Sequence, residues 1–377
     1  MNVLIVTVLA AHSPSGVVTY YNTLAQDLRN QGIQVRLIDS SDTPFLWRKV
    51  LAVLKRTMPV FGNAGRALYS EFAQFTGMYM ALLGKKMEKP DLIHAQDAKS
   101  GAAASIALGR TIPVVMTCHF NDDPAHEIVE RYTLKHSFGN RLTNWYTYLF
   151  SHIKHYVFVS NYAYTKSKHL LPMDASKLVI PNTVRDKSVA GDMNRSNHRK
   201  LIISNVGYVD ERKNQQLLIQ IGAELRKQGQ TNFEIRLIGD GPKRAEYEQL
   251  VNQLDLAEYV KFYGQQAEPW RLVAQSDLYV HTALNDNCPY SIVEAFAVNT
   301  PVLALPVGGI PEMLPDGYGP LQGTTAKTLA DEIGTYFDTE KRMQLKQVQL
   351  THADLKFDHR KSVTELLTFY HQIGQTA

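Results

Sequence analysis

The sequence is short of the features that define several protein classes. Its 377 residues include only two cysteines. These two, Cys118 and Cys288, are far apart and give neither a disulfide framework nor the spacing of a zinc site. No apolar run approaches the roughly 20 residues of a membrane-spanning helix. The first ten residues are apolar but carry no basic leader, so they predict a buried first strand instead of a signal peptide. A reducing cytoplasm is the predicted location.

Two motifs of other enzyme classes are also missing. No Gly-x-Gly-x-x-Gly follows any apolar run, which argues against a nicotinamide dehydrogenase built on parallel sheets. No Asp-x-Asp occurs in the sequence, so we do not expect a diphosphate that is clamped by a metal ion.

The composition is that of a globular protein with two differently charged halves. Hydrophobic residues make up 44% and charged residues 20% of the chain, and its length suits two domains. Residues 1–184 contain 19 Lys and Arg against 12 Asp and Glu, a net charge of +7, whereas the remainder has a net charge of −3. Different partners are expected for the two halves.

Apolar runs alternate with helical patterns along the chain. The first cycle has a strand at 3–9, a Ser-Pro-Ser-Gly turn, a helix ending before Gly32 and a strand at 35–38. This order predicts an α/β fold with doubly wound parallel sheets. The polar stretch 185–200 lacks apolar periodicity and separates two such series. The predicted parts are a domain at 1–184, a linker at 185–200, a domain at 201–356 and a final helix at 357–377.

Residues 285–297, Asn-Asp-Asn-Cys-Pro-Tyr-Ser-Ile-Val-Glu-Ala-Phe-Ala, carry two carboxylates. Pro289 suits the first turn of a helix and Asn287 suits its N-cap, which would put Glu294 on the helix and Asp286 in the loop before it. The N–H groups at the helix start would form an anion site between the two acids. The alternative is that Asp286 caps the helix and Glu294 is merely solvated.

Three further side chains are placed where parallel sheets bind ligands. Arg212 and Lys213 follow the predicted strand at 201–206, and His119 follows the one at 113–117; ligands bind at such carboxyl ends. Positive charge just before a helix opposes the helix dipole, so the two cations indicate a bound anion. The alternatives are a solvated helix start and a structural histidine.

The order and spacing of these motifs resemble the retaining GT-B glycosyltransferases of family four, the glycogen-synthase-like and mannosyltransferase group. Residues 285–297 resemble the family's Glu-x7-Glu signature, with Asp286 in place of the first Glu. Residues 207–213 resemble its Gly-Arg-Leu-x-x-x-Lys pattern, but Tyr208 stands at the Arg position and Arg212 would have to supply the charge. The turn at 13–16 resembles a Gly-Gly loop in which Ser15 replaces one Gly.

The resemblance implies two Rossmann-like domains facing a central cleft. It further implies transfer of a sugar from a nucleoside-diphosphate donor, such as a UDP-sugar, with retention of configuration and with no cofactor or metal. The implied catalytic residues are His119, Asp286, Arg212 and Lys213. The implied donor-binding residues are Gly16, Gly264, Gln265, Asn287, Cys288, Tyr290, Ser291 and Glu294. The last helix would cross back onto the first domain.

The acceptor is expected to be a glycan or a lipid-linked molecule, and nucleic acid is not an expected partner. The helical stretch at 44–66 combines an apolar stripe with basic side chains, which suits contact with an anionic membrane at its inner face. The alternative is a surface helix packed on the first sheet with its charges solvated. A sugar-nucleotide epimerase of similar fold is the other enzyme class that remains open, and a non-catalytic sugar-binding protein is conceivable.

Overall fold

A computed structural model describes residues 1–11, 13, 15–185 and 200–376, and the predicted linker at 185–200 lies almost entirely outside them. The strands are β1 Asn2–Val6, β2 Gln34–Ile38, β3 Leu92–Ala95, β4 Val114–Cys118, β5 His155–Phe158, β6 Ser176–Val179, β7 Leu201–Val206, β8 Phe233–Ile238, β9 Val260–Gly264, β10 Leu278–His281 and β11 Val302–Ala304. The helices are α1 Gly16–Asn30, α2 Phe45–Thr57, α3 Gly62–Leu83, α4 Ala98–Ala107, α5 Pro124–Arg131, α6 His136–Phe150, α7 Asn161–Ser167, α8 Gln215–Lys227, α9 Arg244–Gln253, α10 Trp270–Ala274, α11 Tyr290–Ala297, α12 Ala326–Gly334, α13 Thr339–Lys356 and α14 His359–Thr376.

The chain forms two compact units. Unit 1 comprises Met1–Ile180 and Lys361–Ala377, and unit 2 comprises Pro181–Arg360. Each unit contains one parallel sheet with helices between successive strands. The predicted fold class of two doubly wound, Rossmann-like domains is confirmed.

The sheet of unit 1 has the strand order β2-β1-β3-β4-β5-β6. Its strand β1 shows why the sequence reads as a continuous apolar run. Val3 and Ile5 pack into a cluster on one face that includes Tyr21 of α1, whereas Leu4 and Val6 pack on the other face with residues of α3 and α4. A strand that is covered by helices on both faces is therefore a nearly continuous apolar run in the sequence.

Helix α14 covers part of the same sheet. Its residues Leu366, Phe369, Tyr370 and Ile373 are buried in the cluster that contains Val3 and the other residues on that face. The last residues of the chain therefore contribute to the core of unit 1, although all of unit 2 precedes them in sequence.

The predicted first strand at 3–9 ended three residues too late, because after Val6 the backbone N–H groups turn towards side-chain carboxylates. The Val8 N–H donates to Asp97 Oδ2 at 2.9 Å and the Ala11 N–H to Asp39 Oδ2 at 2.9 Å. Asp97 also caps α4 by accepting from the Ser100 N–H at 2.8 Å. These two carboxylates take the place of ladder hydrogen bonds and hold the loop that leads to α1.

The sheet of unit 2 has the strand order β11-β10-β7-β8-β9, and all its pairs are parallel. Chain order and spatial order differ at β10, which lies beside β7. The loops that follow β7 and β10 therefore emerge side by side at the carboxyl edge of the sheet, where open parallel sheets bind ligands.

None of the helices within the described residues combines the length and the apolar character that crossing a membrane requires.

Candidate active site

The loop between β10 and α11 carries the first of the two predicted carboxylates. Asp286 is buried, and its Oδ2 accepts hydrogen bonds from Lys213 Nζ and from His281 Nε2, the latter at 3.1 Å. Its Oδ1 accepts from the N–H of Asn287 at 3.1 Å. Both oxygens of this carboxylate are thus engaged, and Lys213 is the partner of opposite charge.

Burial and neighbouring charge shift the pKa of Asp286 in opposite directions. Burial alone would raise the pKa of Asp286, but the Lys213 ammonium and the His281 hydrogen bond hold that pKa well below its usual value. Burial lowers the pKa of His281 despite the neighbouring carboxylate. At neutral pH Asp286 is therefore ionised, and His281 is neutral and donates its Nε2 proton to that carboxylate.

The glycine turn at 308–309 packs against the backbone of Asp286 and fixes its position. The Gly309 N–H donates to the Asp286 carbonyl at 3.1 Å. Gly308 has a φ of 59°, and a Cβ at this position would lie 1.9 Å from the Asp286 carbonyl oxygen. Only glycine allows this approach, so the turn at 308–309 sets the position of the carboxylate.

The start of α11 differs from the prediction in one respect. Asn287 is not the N-cap: the cap residue is Pro289, with a ψ of 129°, and no side chain caps the helix. The helix begins at Tyr290, because the extended backbone of Pro289 excludes the residues before it from the first turn. The Asn287 side chain is buried two residues upstream of that cap.

The remaining predicted residues of this segment occupy both the loop and the helix. The Cys288 carbonyl accepts from Asn182 Nδ2 at 2.6 Å, and burial raises the pKa of the Cys288 thiol to about 12. Ser291 hydrogen-bonds the buried Tyr279 phenol. Glu294 lies half-buried in the middle of α11, one turn beyond Tyr290.

Arg212 and Lys213 lie in the loop between β7 and α8, and they differ in environment. The side chain of Lys213 is only 14% exposed. Arg212 is exposed, and its Nη1 donates to the Asn285 carbonyl at 3.4 Å. Both precede α8, which begins at Gln215. Tyr208, which stands at the family's Arg position, has a side chain on the surface and 53% of the residue exposed.

Two residues near this cluster were not identified from the sequence as site residues. His281 is the last residue of β10, and its Nδ1 is 3.2 Å from the Tyr279 hydroxyl oxygen. Asn285 is adjacent to Asp286, and its Oδ1 is buried without a hydrogen-bond partner among the described residues. Their signal in the sequence was position at a strand end, the same signal that identified His119. An unpaired buried acceptor beside Asp286 is a candidate contact for a ligand hydroxyl.

Gly264 is the last residue of β9, the strand at one edge of the second sheet, and Gln265 follows it. Gly264 has a φ of 65°, and its carbonyl accepts from the Gly239 N–H at 2.9 Å. Gln265 is exposed immediately after it. The two glycines bring the turns after β8 and β9 into contact at the carboxyl edge.

His119 lies at the carboxyl end of β4 in unit 1. Its Nε2 is 3.1 Å from Gln96 Oε1, and the Tyr20 ring meets its imidazole edge-on with 4.8 Å between centroids. Burial lowers the pKa of His119 to about 3, so the ring is neutral at pH 7. Gln96, another residue that sequence reasoning missed, is buried after β3, and its Nε2 has no partner among the described residues.

A buried hydrogen-bond network lies behind His119. His94 Nε2 is 2.7 Å from Thr117 Oγ1, which is 3.1 Å from the Tyr20 hydroxyl. The other ring nitrogen of His94 bonds the hydroxyl of Tyr370 in α14. Burial lowers the pKa of His94 to about 3. The network connects the residues around His119 to the final helix of the chain.

Gly16 is the first residue of α1, and Ser15 is its N-cap. The Ser15 hydroxyl accepts from the Val17 N–H at 3.3 Å. Serine at this position of the turn is explained by that hydrogen bond, which satisfies an N–H at the helix start that glycine would leave to solvent.

In the part of the chain that the structure describes, no three Asp, Glu, His or Cys side chains are grouped so that they could hold a metal ion.

Two family profiles match consecutive parts of the sequence. "Glycosyltransferase Family 4" matches residues 14–187, and "Glycosyl transferases group 1" matches residues 190–347. The chain belongs to the family-4-like glycosyltransferases of GT-B fold. The resemblance seen in the motifs is thereby confirmed.

Curated relatives are also glycosyltransferases or sugar-transferring synthases by name. The GPI3 subunit of phosphatidylinositol N-acetylglucosaminyltransferase from Saccharomyces cerevisiae is 29% identical over 146 residues, 37% of this chain and 32% of its own. N-acetyl-alpha-D-glucosaminyl L-malate synthase of Bacillus anthracis is 27% identical over 147 residues, 38% of this chain and 39% of its own. The matched segments thus span well under half of these relatives.

Two solved structures share the fold over the whole chain. Anabaena HepE in complex with UDP has a TM-score of 0.70 at 18% identity, covering 99% of this chain and 100% of its own. Sucrose-phosphate synthase of Thermosynechococcus elongatus has a TM-score of 0.75 at 16% identity, with both chains covered completely.

Proposed function

We propose that this glycosyltransferase moves a sugar from a nucleoside-diphosphate donor to an acceptor, with retention of configuration and without a metal ion. The observation that carries the proposal is the cluster of Lys213, Asp286 and His281 beside the start of α11 in unit 2. It combines a cation, an ionised carboxylate and a helix N-terminus at the carboxyl edge of a parallel sheet, which suits a ligand that has both hydroxyl groups and phosphates.

In this proposal Arg212, Lys213 and the first N–H groups of α11 bind the diphosphate. The charge of Lys213 is balanced by Asp286, whereas Arg212 has only a carbonyl contact in the described structure, so Arg212 brings the uncompensated positive charge. A leaving diphosphate develops negative charge, and preorganised cations stabilise it without reorganisation. These groups replace the metal ion.

Asp286 and Glu294 bind hydroxyl groups of the donor. Asp286, together with the unpaired Asn285 Oδ1, is assigned to the sugar, and Glu294 on α11 to the ribose. Gly264 and Gln265 are assigned to the base. A UDP-sugar is the first donor to test, because the HepE crystals contain UDP.

His119 is proposed to stabilise positive charge on the transferring sugar. Because its pKa is lowered to about 3, it acts at neutral pH as a neutral dipole oriented by Gln96 and not as a proton donor. A donor phosphate oxygen would then deprotonate the acceptor on the face that the leaving group departs from, which gives retention.

Glu294→Gln tests the ribose contact and with it the donor site. The substitution keeps the shape of the side chain but replaces a charge-assisted hydrogen bond, which is typically worth about 1.5–3 kcal/mol, so UDP affinity should fall about ten- to a hundredfold. Isothermal calorimetry with UDP and with a panel of nucleotide sugars measures this. Glu340→Gln, on the exposed first turn of α13 in the same unit, is the matched control.

Unchanged UDP affinity in a folded Glu294→Gln protein would rule out this role of Glu294. Incubating the enzyme with donor alone then separates the enzyme classes, since an epimerase converts the donor and a transferase at most hydrolyses it slowly. The anomeric configuration of the transfer product, read by NMR, tests retention.

A further inference from the structure

Strand β10 is buried along its whole length, yet two of its four side chains carry hydrogen-bonding groups. Leu278 and Val280 belong to the core cluster of unit 2. Tyr279 and His281 alternate with them and therefore point to the opposite face of the strand, where they are 0% and 1% exposed. Buried parallel strands are normally continuous apolar runs, and buried polar groups are costly unless they are hydrogen-bonded. Apolar packing alone therefore does not account for these two residues.

The protons of His281 follow from its surroundings. Its Nε2 is 3.1 Å from Asp286 Oδ2, and an ionised carboxylate can only accept a hydrogen bond, so Nε2 carries a proton. Burial lowers the pKa of His281, which keeps the ring neutral. A neutral ring with a proton on Nε2 has a lone pair on Nδ1. This buried Nδ1 requires a hydrogen-bond donor.

The Tyr279 hydroxyl is that donor. Its oxygen is 3.2 Å from His281 Nδ1 and 3.3 Å from the Val206 carbonyl. If it donated only to Val206, the Nδ1 lone pair would be left unpaired. If Nδ1 donated to Tyr279 instead, the lone pair of Nε2 would face the ionised Asp286, which is repulsive. Ser291, another partner of this phenol, has a proton of its own to donate to the Tyr279 oxygen.

The charged groups around this pair do not distinguish the two ring nitrogens. They come from three elements: Asp286 of the loop before α11, Arg212 and Lys213 of the loop before α8, and Glu294 of α11. Burial is the largest cause of the lowered pKa of His281, the two cations lower it further, and Asp286 opposes them. Within the described residues, the hydrogen-bond partner of Nδ1 is Tyr279, so this contact selects the tautomer.

We propose that Tyr279 is a positioning residue for Asp286: its hydroxyl donates to His281 Nδ1 and thereby fixes the tautomer that donates from Nε2 to the carboxylate. The effect on sugar transfer rests on the proposed function, whereas the tautomer does not. A second proton on His281 would place a positive charge beside the carboxylate assigned to the sugar. Because positive charge develops on that sugar during transfer, the extra cation would slow the reaction.

Tyr279→Phe removes the hydroxyl and keeps the ring. The neutral form of His281 then loses a stabilising contact, so the pKa of His281 should rise towards its ordinary value of about 6.5. Two-bond proton–nitrogen NMR of the full chain, labelled with ¹⁵N-histidine, measures this, and His281→Gln identifies the signals. The titration midpoint of His281 should lie at least about one pH unit higher in Tyr279→Phe.

The unmodified protein tests the tautomer without any substitution. Its neutral His281 should show a protonated Nε2 and an unprotonated Nδ1. A proton on Nδ1 of the neutral ring would overturn the proposal, and so would equal titration midpoints in the unmodified protein and in a folded Tyr279→Phe protein.

Steady-state kinetics test the effect on transfer. Relative to the unmodified enzyme, kcat of Tyr279→Phe should fall at least about threefold more at pH 5 than at pH 8.5, because His281 gains a proton in this range. The KM for the donor should stay within about twofold, since the residues assigned to the diphosphate are unchanged. A kcat loss of the same size at both pH values would indicate structural damage and would overturn the positioning role.

Tyr247→Phe is the matched control. Tyr247 is also buried in unit 2, at 1% exposure, and its hydroxyl donates to the Asp210 carbonyl at 3.4 Å. This substitution should leave the titration of His281 and the pH profile of kcat unchanged. Shifts as large as those of Tyr279→Phe would show that any lost tyrosine hydroxyl has the effect, which would overturn the proposal.

A double variant tests whether His281 transmits the effect. Gln cannot gain a proton in this pH range, so Tyr279→Phe/His281→Gln should lack the extra loss of kcat at pH 5 that Tyr279→Phe shows. Persistence of that loss in the double variant would overturn the role of His281. If the NMR results are as expected but no sugar transfer is found with any donor, the proposed function fails and the tautomer stands. If transfer occurs and Tyr279→Phe behaves like Tyr247→Phe, the proposed function stands and the positioning role fails.

Discussion

At the scale of single residues, Lys213 has two tasks in the proposed site. It compensates the buried charge of Asp286 and it contributes positive charge for a diphosphate. Removing one partner of a buried ion pair leaves an uncompensated charge, which costs about 3–5 kcal/mol. Its neighbour Arg212 is exposed and has no such structural task. The two cations can therefore be separated experimentally.

Lys213→Ala should lower both stability and kcat, whereas Arg212→Ala should lower kcat alone. A lost contact to developing negative charge typically costs about 2.7–4 kcal/mol. Steady-state kinetics and urea unfolding measure the two effects. Adding Asp286→Asn to Lys213→Ala should recover stability but not activity, because the buried charge is then gone.

The control for Arg212→Ala is Arg226→Ala. Arg226 also donates to backbone carbonyls from an exposed position in unit 2, at 3.0 Å to Asp255. The Arg226→Ala protein should have the same kcat as the unmodified enzyme. If Arg212→Ala does the same, Arg212 is only a surface residue, and Tyr208 becomes the next residue to test.

His94 makes the stability of unit 1 depend on pH. Its pKa is lowered to about 3 in the folded state, while an unfolded His titrates near 6.5. The unfolded chain therefore binds one more proton between these values, so the free energy of unfolding falls as pH decreases below about 6.5, by up to about 1.4 kcal/mol per pH unit.

Comparing the protein with His94→Gln isolates this contribution. Gln retains hydrogen-bonding groups for Thr117 and Tyr370 but has no proton to gain. Urea unfolding between pH 7.5 and 5 should give a shallower pH slope for the variant, by about one proton. Parallel slopes would show that His94 is not kept neutral by the fold. The other histidines of unit 1 are present in both proteins.

At the scale of elements, the turn at 308–309 is what places the loop before α11. A residue with a side chain at Gly308 meets the Asp286 carbonyl, and its positive φ adds strain of about 1–2 kcal/mol for any L residue. The turn thus contributes to the site through the backbone of Asp286.

Gly308→Ala should destabilise unit 2 by more than the strain alone and should lower kcat, because the Asp286 backbone has to move. Gly317→Ala is the matched control: its φ is 74°, but nothing lies within 4 Å of an added Cβ. Gly317→Ala should lower the free energy of unfolding in urea by the backbone strain alone, and its kcat should be unchanged. Equal kcat losses in both would mean that the steric contact at Gly308 is irrelevant.

At the scale of the whole molecule, the proposed chemistry depends on side chains instead of a metal ion. Transfer activity should persist in excess EDTA if, as proposed, Arg212 and Lys213 stabilise the diphosphate. Radiolabelled donor and an accepted substrate, assayed with and without the chelator, measure this. Loss of activity with EDTA that magnesium restores would contradict the assignment of these cations.

Much of the fold could be predicted because strands covered on both faces, such as β1, are continuous apolar runs in the sequence. The ion pair of Lys213 with Asp286 could not be predicted, because it depends on β7 and β10 being neighbours in the sheet. Local sequence rules also placed the N-cap at Asn287, and they failed because the extended backbone of Pro289 starts the helix later.

The exposure of apolar residues on α2 was equally hidden from the sequence. The periodicity predicted an amphipathic helix, and Leu51 is indeed buried, but α2 packs on α3 and leaves Leu46 and Val53 in solvent. A pattern shows that a helix has an apolar face. The pattern does not show whether other parts of the chain pack against all the apolar residues of that helix.

The position of α14 has a consequence for how the protein is made. A ribosome releases Val3 and the rest of the first sheet early, but Phe369, Tyr370 and Ile373, which complete one face of that sheet, emerge after every residue of unit 2. Unit 2 can therefore fold during synthesis, while part of the apolar core of the nascent unit 1 remains exposed to solvent. Chaperones that recognise exposed apolar segments would be expected to act on unit 1 in that interval.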